Sequence, residues 1–285
     1  MKITCLVTNT VRTSTQLWGE HGLAFLIESE TGRVLFDTGQ SGTVLRHNME
    51  EMAVDARSID ALVISHAHYD HTGGLPDLLK DTRPDLPLYA HPDLFRPRYS
   101  GSRESPHAIG IPMEREMLTE HVSLHLDVLP QQVVPGVWTT GEITSRAEPL
   151  GSSKRHLVRE GDDWKPDPYR DDMSLIVETP AGLVLLCGCC HAGLLNTLAK
   201  AQEFAADELD NRDFVAIAGG THLVAADADH LDKIVTVLRD MPRLTRIYLN
   251  HCSGARALYT LQAAFGLDVA QPCPAGTELE LEIHE

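Results

Sequence analysis

The sequence predicts an α/β fold in which β-strands alternate with amphipathic helices. The second half of the chain repeats a strand, a short loop and a helix three times, and each loop carries reactive side chains. Of the 285 residues, 42% are hydrophobic and 23% are charged, which is typical of a globular protein. Because no Pro-rich or Gly/Ser-rich linker divides the chain, residues 1–285 are expected to form a single domain.

The first half of the chain contains five predicted strands. Their expected ranges are Ile3–Val7, Leu23–Glu28, Arg33–Phe36, Ile59–Ser65 and Leu86–Ala90. Ser41 is a suitable N-cap for a helix with apolar residues on one face, and a second short helix is expected over Leu75–Lys80. Met1–Thr4 lead into the first strand rather than into a secretion signal, and no apolar run is long enough to span a membrane.

The middle of the chain is less regular. Phe95–Met113 shows little periodicity, and long irregular segments inside compact domains are commonly functional loops, so we expect it to cover a site. Leu124–Leu129 and Val133–Thr139 are predicted strands. Gly151–Asp172 is charged and rich in turn residues, and is predicted to be an exposed excursion.

Three strand-to-loop transitions follow in the second half. Leu183–Leu186 precedes Cys187–His191, Phe214–Ala218 precedes Gly219–His222, and Arg246–Leu249 precedes Asn250–Gly254. Sheets of α/β proteins bind their ligands at the carboxyl ends of strands, so the three loops are expected to converge on one site. The Leu and Ile residues of the helices that follow are predicted to be core.

The segment Ser65–Gly74 is the most informative stretch of the chain. It contains His66, His68, Asp70 and His71, and it directly follows an apolar run. Imidazole and carboxylate groups are common ligands of divalent metal ions. His66 and His68 are two residues apart, so an extended backbone directs both rings to one side. A solvated His-rich loop is the alternative, but the apolar run and the glycines favour a metal site.

The spacing H-x-H-x-D-H, preceded by Phe36-Asp37-Thr38-Gly39, resembles the metallo-β-lactamase superfamily. Three further segments are similar to a subgroup that includes the archaeal dihydropterin-ribofuranosylaminobenzene phosphate synthase. They are Gly188–Gly193, Gly219–Leu223 and Asn250–Gly254. The resemblance covers nearly the whole chain and implies an αββα sandwich with one or two metal ions at one rim of the sheets.

The resemblance also implies a ligand set. His66 and His68 would bind one metal ion with a later histidine, whereas Asp70 and His71 would bind a second ion with a last histidine. We assign His191 to the first ion and His251 to the second, with His222 as the alternative to either. The chain departs from the common pattern because the aspartate of the fourth motif is absent and Cys189 stands in its place.

Two candidate residues have alternative interpretations. Cys189 is either a thiolate ligand, which suits Zn²⁺ or iron, or a small buried residue. Asp37 is interpreted as the carboxylate that accepts the outer N–H of a ligating imidazole, the alternative being a turn-forming aspartate. The segment Glu20-His21-Gly22 is a further candidate for the lining of the site. The other cysteines are expected to be reduced thiols, as in a cytoplasmic protein.

The expected function is that of a metal-dependent hydrolase acting on a small ester, lactone, thioester or phosphoester. Asp70 is the predicted catalytic residue, with zinc, or alternatively iron or manganese, as the metal. Arg98, Arg103 and His107, with Tyr69, are the candidates for binding substrate. The alternatives are a transferase that joins a pterin-type substrate to a phosphorylated sugar-amine, and a metal-binding protein without activity.

The charge of the chain limits the class of partner. A formal net charge of −17 disfavours nucleic-acid binding, because phosphate backbones are bound by clustered Lys and Arg. A small anionic substrate remains compatible with it, since a bound metal makes the local field positive. We therefore expect a small-molecule substrate, and neither a nucleic-acid nor a membrane partner.

Overall fold

Two β-sheets lie face to face at the centre of the molecule, and a computed structural model describes them within residues 1–281. The strands of the first half are β1 Lys2–Val7, β2 Ala24–Ser29, β3 Gly32–Phe36, β4 Ala61–Val63, β5 Leu86–Ala90, β6 Arg98–Ser102, β7 Ser105–Ala108, β8 Val122–Leu126, β9 Gln132–Val134 and β10 Val137–Thr139. Those of the second half are β11 His156–Glu160, β12 Asp163–Pro166, β13 Ser174–Thr179, β14 Gly182–Cys187, β15 Phe214–Gly220, β16 Arg246–Asn250 and β17 Ala270–Pro272. The α-helices are α1 Gly42–Glu51, α2 Tyr69–Thr72, α3 Leu75–Leu78, α4 Arg115–Thr119, α5 Leu194–Glu208, α6 Ala228–Arg239 and α7 Ala255–Phe265.

The first sheet has six strands in the order β1-β2-β3-β4-β5-β8, and the second has seven in the order β17-β16-β15-β14-β13-β10-β9. The consecutive pairs from β3 to β8 and from β14 to β17 are parallel, so their carboxyl ends lie at a common edge of each sheet. The metal ligands predicted from the sequence lie at this edge.

Apolar side chains from both sheets form the central core. Phe25 and Phe36 from the first sheet pack with Leu175, Val184 and Ala216 from the second. A second apolar layer fills the space between the first sheet and helices α1 and α3, and a third lies between the second sheet and helices α5 to α7. The predicted αββα layering is confirmed.

A smaller antiparallel sheet of four strands, which we call the accessory sheet, has the order β12-β11-β6-β7. Its strands belong to the segments Phe95–Met113 and Gly151–Asp172, and the irregular and exposed conformations predicted for them were wrong. The first contains a β-hairpin rather than an irregular loop, and the second contains two strands and several buried residues. The cause is pairing between β6 and β11, which are distant in sequence.

Other predicted strands and helices agree with the structure to within a few residues. The strand predicted over Ile59–Ser65 is limited to β4, and the one predicted over Val133–Thr139 is divided into β9 and β10 by Pro135-Gly136. The helix predicted over Leu75–Lys80 corresponds to α3. The predicted domain 1–285 includes residues 282–285, which lie outside the described residues.

Candidate metal centre

The candidate centre lies at the carboxyl ends of β3, β4, β14 and β16. Gly73 and Gly74, at the end of α2, allow the chain to pass close to the loop after β3. A Cβ atom on Gly73 would overlap the carbonyl oxygen of Gln40, and one on Gly74 would overlap that of Thr38. The two glycines therefore allow the segment Ser65–Gly74, which we call the histidine segment, to pack closely against the loop after β3.

One group of possible ligands contains His66, Cys189 and His191, which offer ligand atoms within 4.8 Å of one another. His66 Nε2 also lies 3.1 Å from His68 Nδ1. All four residues are buried. The structure thus brings His66, His68 and His191 together, as expected for a first metal position.

The second group contains His71, Cys189 and His251. His71 Nε2 lies 3.3 Å from His251 Nε2 and 3.2 Å from Cys189 Sγ. Asp70 Oδ2 is 3.3 Å from His251 Nε2 and 3.7 Å from His71 Nε2. Cys189 is common to both groups, so its sulfur lies near the candidate ligand atoms of each.

The outer nitrogen of each of four rings is held by a neighbouring polar group. Asp37 Oδ2 lies 2.6 Å from His71 Nδ1, and the carbonyl oxygen of Gly151 lies 2.9 Å from His191 Nδ1. The corresponding partners of His66 and His251 are Ser65 Oγ at 2.9 Å and Asn9 Oδ1 at 3.1 Å. Such contacts fix the orientation of ligating imidazoles and leave the inner nitrogen free for a metal ion.

The donor set fits a divalent cation. Among the described residues, His191 Nε2 is buried without a hydrogen-bond partner, and so is His68 Nε2. Burial of a polar atom without a partner costs free energy, and a ligated cation would remove the cost at His191 Nε2. Nitrogen, thiolate and carboxylate ligands together suit Zn²⁺ or Fe²⁺.

Burial and charge set the protonation of the metal-free centre. Burial lowers the pKa values of His66 and His191 well below the usual range, so both rings are neutral near pH 7. Burial also lowers the pKa of His71, but the carboxylates of Asp37 and Asp70 outweigh it and raise that pKa to about 9. Burial and the adjacent Cys252 thiol raise the pKa of Cys189.

Four residues of the loops at this edge have left-handed backbone conformations, which non-glycine residues rarely adopt. Their φ angles are 61° for Asp37, 55° for Cys190, 47° for His222 and 49° for His251. Residues held in sparsely populated conformations cluster at functional sites because the surrounding structure must support the cost. These loops therefore place their side chains at the site at the cost of less favourable backbone conformations.

Three predicted site residues lie close to the centre without joining either ligand group. The His222 ring lies 4.5 Å from that of His191, and burial lowers its pKa to about 4. His222, Tyr69 and His107 all line a cavity of about 240 Å³ over the centre. His107 stands on β7, so the accessory sheet covers the cavity.

The prediction that Arg98 binds substrate was wrong. Its guanidinium is buried, with Nε 3.1 Å from Asp167 and Nη2 2.6 Å from Asp171. Asp171 in turn accepts the backbone N–H of Ala67 at 2.8 Å. Arg98 therefore stabilises the histidine segment through Asp171. Arg103 is exposed in the turn after β6 and is not among the residues that line the cavity.

Sequence reasoning missed several residues of the site. The sequence predicts His21 only as a lining residue, yet its Nε2 lies 3.1 Å from Asp70 Oδ2, and His21 forms a third group of possible ligands with Asp70 and His251. Asn9 touches the outer nitrogens of both His21 and His251, at 3.5 and 3.1 Å. His156, on β11, also lines the cavity. The Glu20-His21-Gly22 segment was the only sequence signal that pointed to any of them.

None of the helices in residues 1–281 combines the length and the apolar character that crossing a bilayer requires.

The chain is similar to known proteins in sequence and in fold. Residues 17–142 match the family model described as the metallo-beta-lactamase superfamily. The chain is 29% identical over 269 residues to the 7,8-dihydropterin-6-methyl-4-(beta-D-ribofuranosyl)-aminobenzene-5'-phosphate synthase of Methanocaldococcus jannaschii, which covers 90% of this chain and 89% of the relative.

Solved structures show the same architecture. A metal-dependent hydrolase of the β-lactamase superfamily superposes with a TM-score of 0.81 at 25% identity, covering 98% of each chain. The short form of human tRNase Z superposes with a TM-score of 0.54 at 13% identity, covering 99% of this chain and 100% of that one. The second likeness concerns the fold alone.

Proposed function

We propose that this chain, which belongs to the metallo-β-lactamase superfamily, is a metal-dependent hydrolase of a small ester, lactone, thioester or phosphoester. The observation that carries the proposal is the convergence of His66, His71, His191 and His251 with Cys189 from separate loops. Among the described residues, the Nε2 atom of His191 is buried there without a hydrogen-bond partner, and a metal ion would supply one.

Two adjacent metal positions fit the donor groups. We assign His66, His68 and His191 to the first, and Asp70, His71 and His251 to the second, with Cys189 between them. A divalent ion held by these residues would supply Lewis-acid chemistry and a water of lowered pKa. Zinc is the proposed metal, and iron or manganese would suit many of the same ligands.

The side chains around the centre have separate tasks. The Asp70 carboxylate faces the cavity and can accept a hydrogen bond from the attacking water, which orients it. Asp37 holds the His71 ring through its outer nitrogen. The accessory sheet and Tyr69 line the cavity and limit its volume, so that it would enclose the reacting part of a small substrate.

A transferase is the second candidate, favoured by the similarity to the Methanocaldococcus synthase over most of both chains. Its name implies that a pterin-type substrate is joined to a phosphorylated aminobenzene riboside. The same metal positions would serve this reaction. In that case the cavity would accept two molecules, and product would form only when both are supplied.

Metal analysis combined with a substrate screen tests the proposal. The purified protein is stripped of metal, reloaded with zinc, iron or manganese, and assayed against phosphoester, lactone and thioester substrates and against the two-substrate reaction. We expect a metal-dependent hydrolysis that His251→Ala abolishes and that His125→Ala, at an exposed site, leaves intact. Turnover only with paired substrates would establish the transferase instead, and failure to bind any divalent metal would contradict both.

A further inference from the structure

The accessory sheet places three polar side chains in one row across neighbouring strands. His156 on β11 pairs with Ser100 on β6, and Ser100 pairs with His107 on β7. Residues directly opposite one another in an antiparallel sheet project from the same face. All three line the cavity over the candidate metal centre. The row therefore forms one wall of the cavity, and none of its residues is a proposed metal ligand.

The hydrogen-bond partners of His156 determine which of its nitrogens carries the proton. The Tyr169 hydroxyl lies 2.9 Å from His156 Nδ1 and accepts the backbone N–H of Ser153 at 3.0 Å. If the hydroxyl also accepted a proton from Nδ1, its own hydrogen would have no partner among these contacts. Donation from the hydroxyl to Nδ1 satisfies all three groups and leaves the proton of the neutral ring on Nε2.

Tyr169 is held firmly enough to impose this arrangement. It is buried, and its ring is stacked on that of His191 with centroids 4.3 Å apart and an interplanar angle of 10°. Asp167 also accepts the Tyr169 backbone N–H at 2.8 Å. The hydroxyl therefore has a fixed position relative to both the centre and His156.

A nitrogen that carries a proton cannot ligate a metal ion, so His156 differs from His191, whose buried Nε2 has no hydrogen-bond partner among the described residues. Apart from the proposed ligands, the cavity lining formed by the described residues offers the rings of His21, His107, His156 and His222 as possible donors, and it contains a single carboxylate, that of Asp70. Such a lining favours a negatively charged oxygen over a cationic group.

We infer that His156 donates a hydrogen bond from Nε2 to an anionic oxygen of the substrate, with Ser100 and His107 beside it in the same row. This inference deepens the proposed function and rests on it for the location of the reacting group. The substrate class it indicates carries a phosphoryl or carboxylate group within reach of the accessory sheet. Tyr169 is a positioning residue, because it acts through His156.

Two substitutions separate the roles of the two nitrogens. His156→Gln places an amide near the Nε2 position and keeps a donor toward the cavity. His156→Asn places its amide near Nδ1, where it can still meet Tyr169, but removes the donor from the cavity. Inorganic phosphate and acetate are the probes, titrated calorimetrically into both the metal-loaded and the metal-free protein, with metal content measured for each sample.

We expect His156→Asn to weaken binding of the preferred probe by about tenfold to hundredfold, as for loss of a hydrogen bond to a charged group. His156→Gln should restore most of the affinity, and the metal content of both variants should equal that of the wild type. Preference for phosphate would indicate a phosphoryl substrate, and preference for acetate a carboxylate.

Nitrogen-15 NMR of the metal-free protein labelled at histidine provides an independent reading. We expect the Nε2–H tautomer for His156, and loss of that preference in Tyr169→Phe. An Nδ1–H tautomer, unchanged probe affinity in His156→Asn, or loss of metal in that variant would each overturn the inference. Absence of metal from the wild type would instead contradict the proposed function, while the NMR result would still decide the role of His156.

Discussion

At the scale of single residues, the site depends on contacts made by the outer nitrogen of each imidazole. Asp37 shows this most clearly. Its Oδ1 accepts the backbone N–H of Ser65, and its Oδ2 accepts the Ser65 hydroxyl and lies 2.6 Å from His71 Nδ1. One buried carboxylate thus connects the end of β3 to two residues of the histidine segment. Its charge also raises the pKa of His71.

Replacement of Asp37 by asparagine is predicted to weaken metal binding. The variant keeps the size of the side chain but loses the negative charge that orients His71 and makes it more basic. Loss of such a supporting contact lowers metal affinity by about tenfold to hundredfold. Competition with a chelating indicator measures the change. Asp207→Asn, on the exposed face of α5, is the control, and equal affinities for the two variants would refute the role of Asp37.

Metal binding is predicted to release protons, and its affinity should rise with pH. With a pKa of about 9, His71 is protonated in the metal-free protein at pH 7, and Nε2 must lose a proton to bind a metal ion. Because the metal-bound form holds fewer protons, raising the pH toward 9 favours binding. Calorimetry at pH 7 in two buffers of different ionisation heat should show release of at least one proton per chain. Identical heats in the two buffers would contradict the prediction.

At the scale of structural elements, the histidine segment is held between the loop after β3 and the loop that precedes β13. Gly73 and Gly74, which follow α2, permit the first approach, and Asp171 makes the second by accepting the Ala67 N–H. Most of these supporting contacts could not be predicted from the sequence. The spacing of His66, His68, Asp70 and His71 is local and therefore visible, whereas the partners that orient them come from segments far along the chain.

Arg98 illustrates that difference. It was predicted to bind substrate because it lies in a segment expected to cover the site. The aspartates that neutralise it, Asp167 and Asp171, follow about 70 residues later, and only the pairing of β6 with β11 brings them together. His156 was missed for the same reason, since charge and turn residues around it suggested an exposed excursion.

Arg98→Met is predicted to destabilise the protein and to weaken metal binding together. Removal of the cation leaves two buried aspartates without compensation, at a cost of about 3–5 kcal/mol in the free energy of unfolding. It also releases Asp171 from its position on the Ala67 N–H. Denaturant unfolding and metal titration measure the two effects. Arg103→Met, in an exposed turn, should change neither, and an Arg98→Met protein of wild-type stability would be inconsistent with this role.

Gly74→Ala should disturb the centre without changing any ligand. The added Cβ overlaps the carbonyl oxygen of Thr38, so α2 must move away from β3. We expect lower stability and weaker metal binding. Gly110→Ala serves as the control. The nearest atom to its added Cβ would be the backbone nitrogen of Arg98 at 3.4 Å, which is an ordinary van der Waals contact. Wild-type metal affinity in Gly74→Ala would show that the close approach is not needed.

At the scale of the whole molecule, the fold gathers strand ends from both sheets at one edge and closes that edge with the accessory sheet. The layered architecture was predictable because alternating strands and helices leave a regular pattern in the sequence. The ligand candidates were predictable because each of them follows a strand. The accessory sheet was not, since its short strands are stabilised by pairing across the chain rather than by a strong local pattern.

The central claim is that the chain holds two adjacent metal ions, one bound by the group that contains His191 and one by the group that contains His251. The most direct test is the metal content of the zinc-loaded wild type beside that of His191→Ala and His251→Ala, measured by mass spectrometry after gel filtration. We predict two ions per chain in the wild type and a loss from a different position in each variant, so that the double variant retains neither. A wild-type protein that holds no zinc, iron or manganese, or variants that bind as much metal as the wild type, would contradict the account.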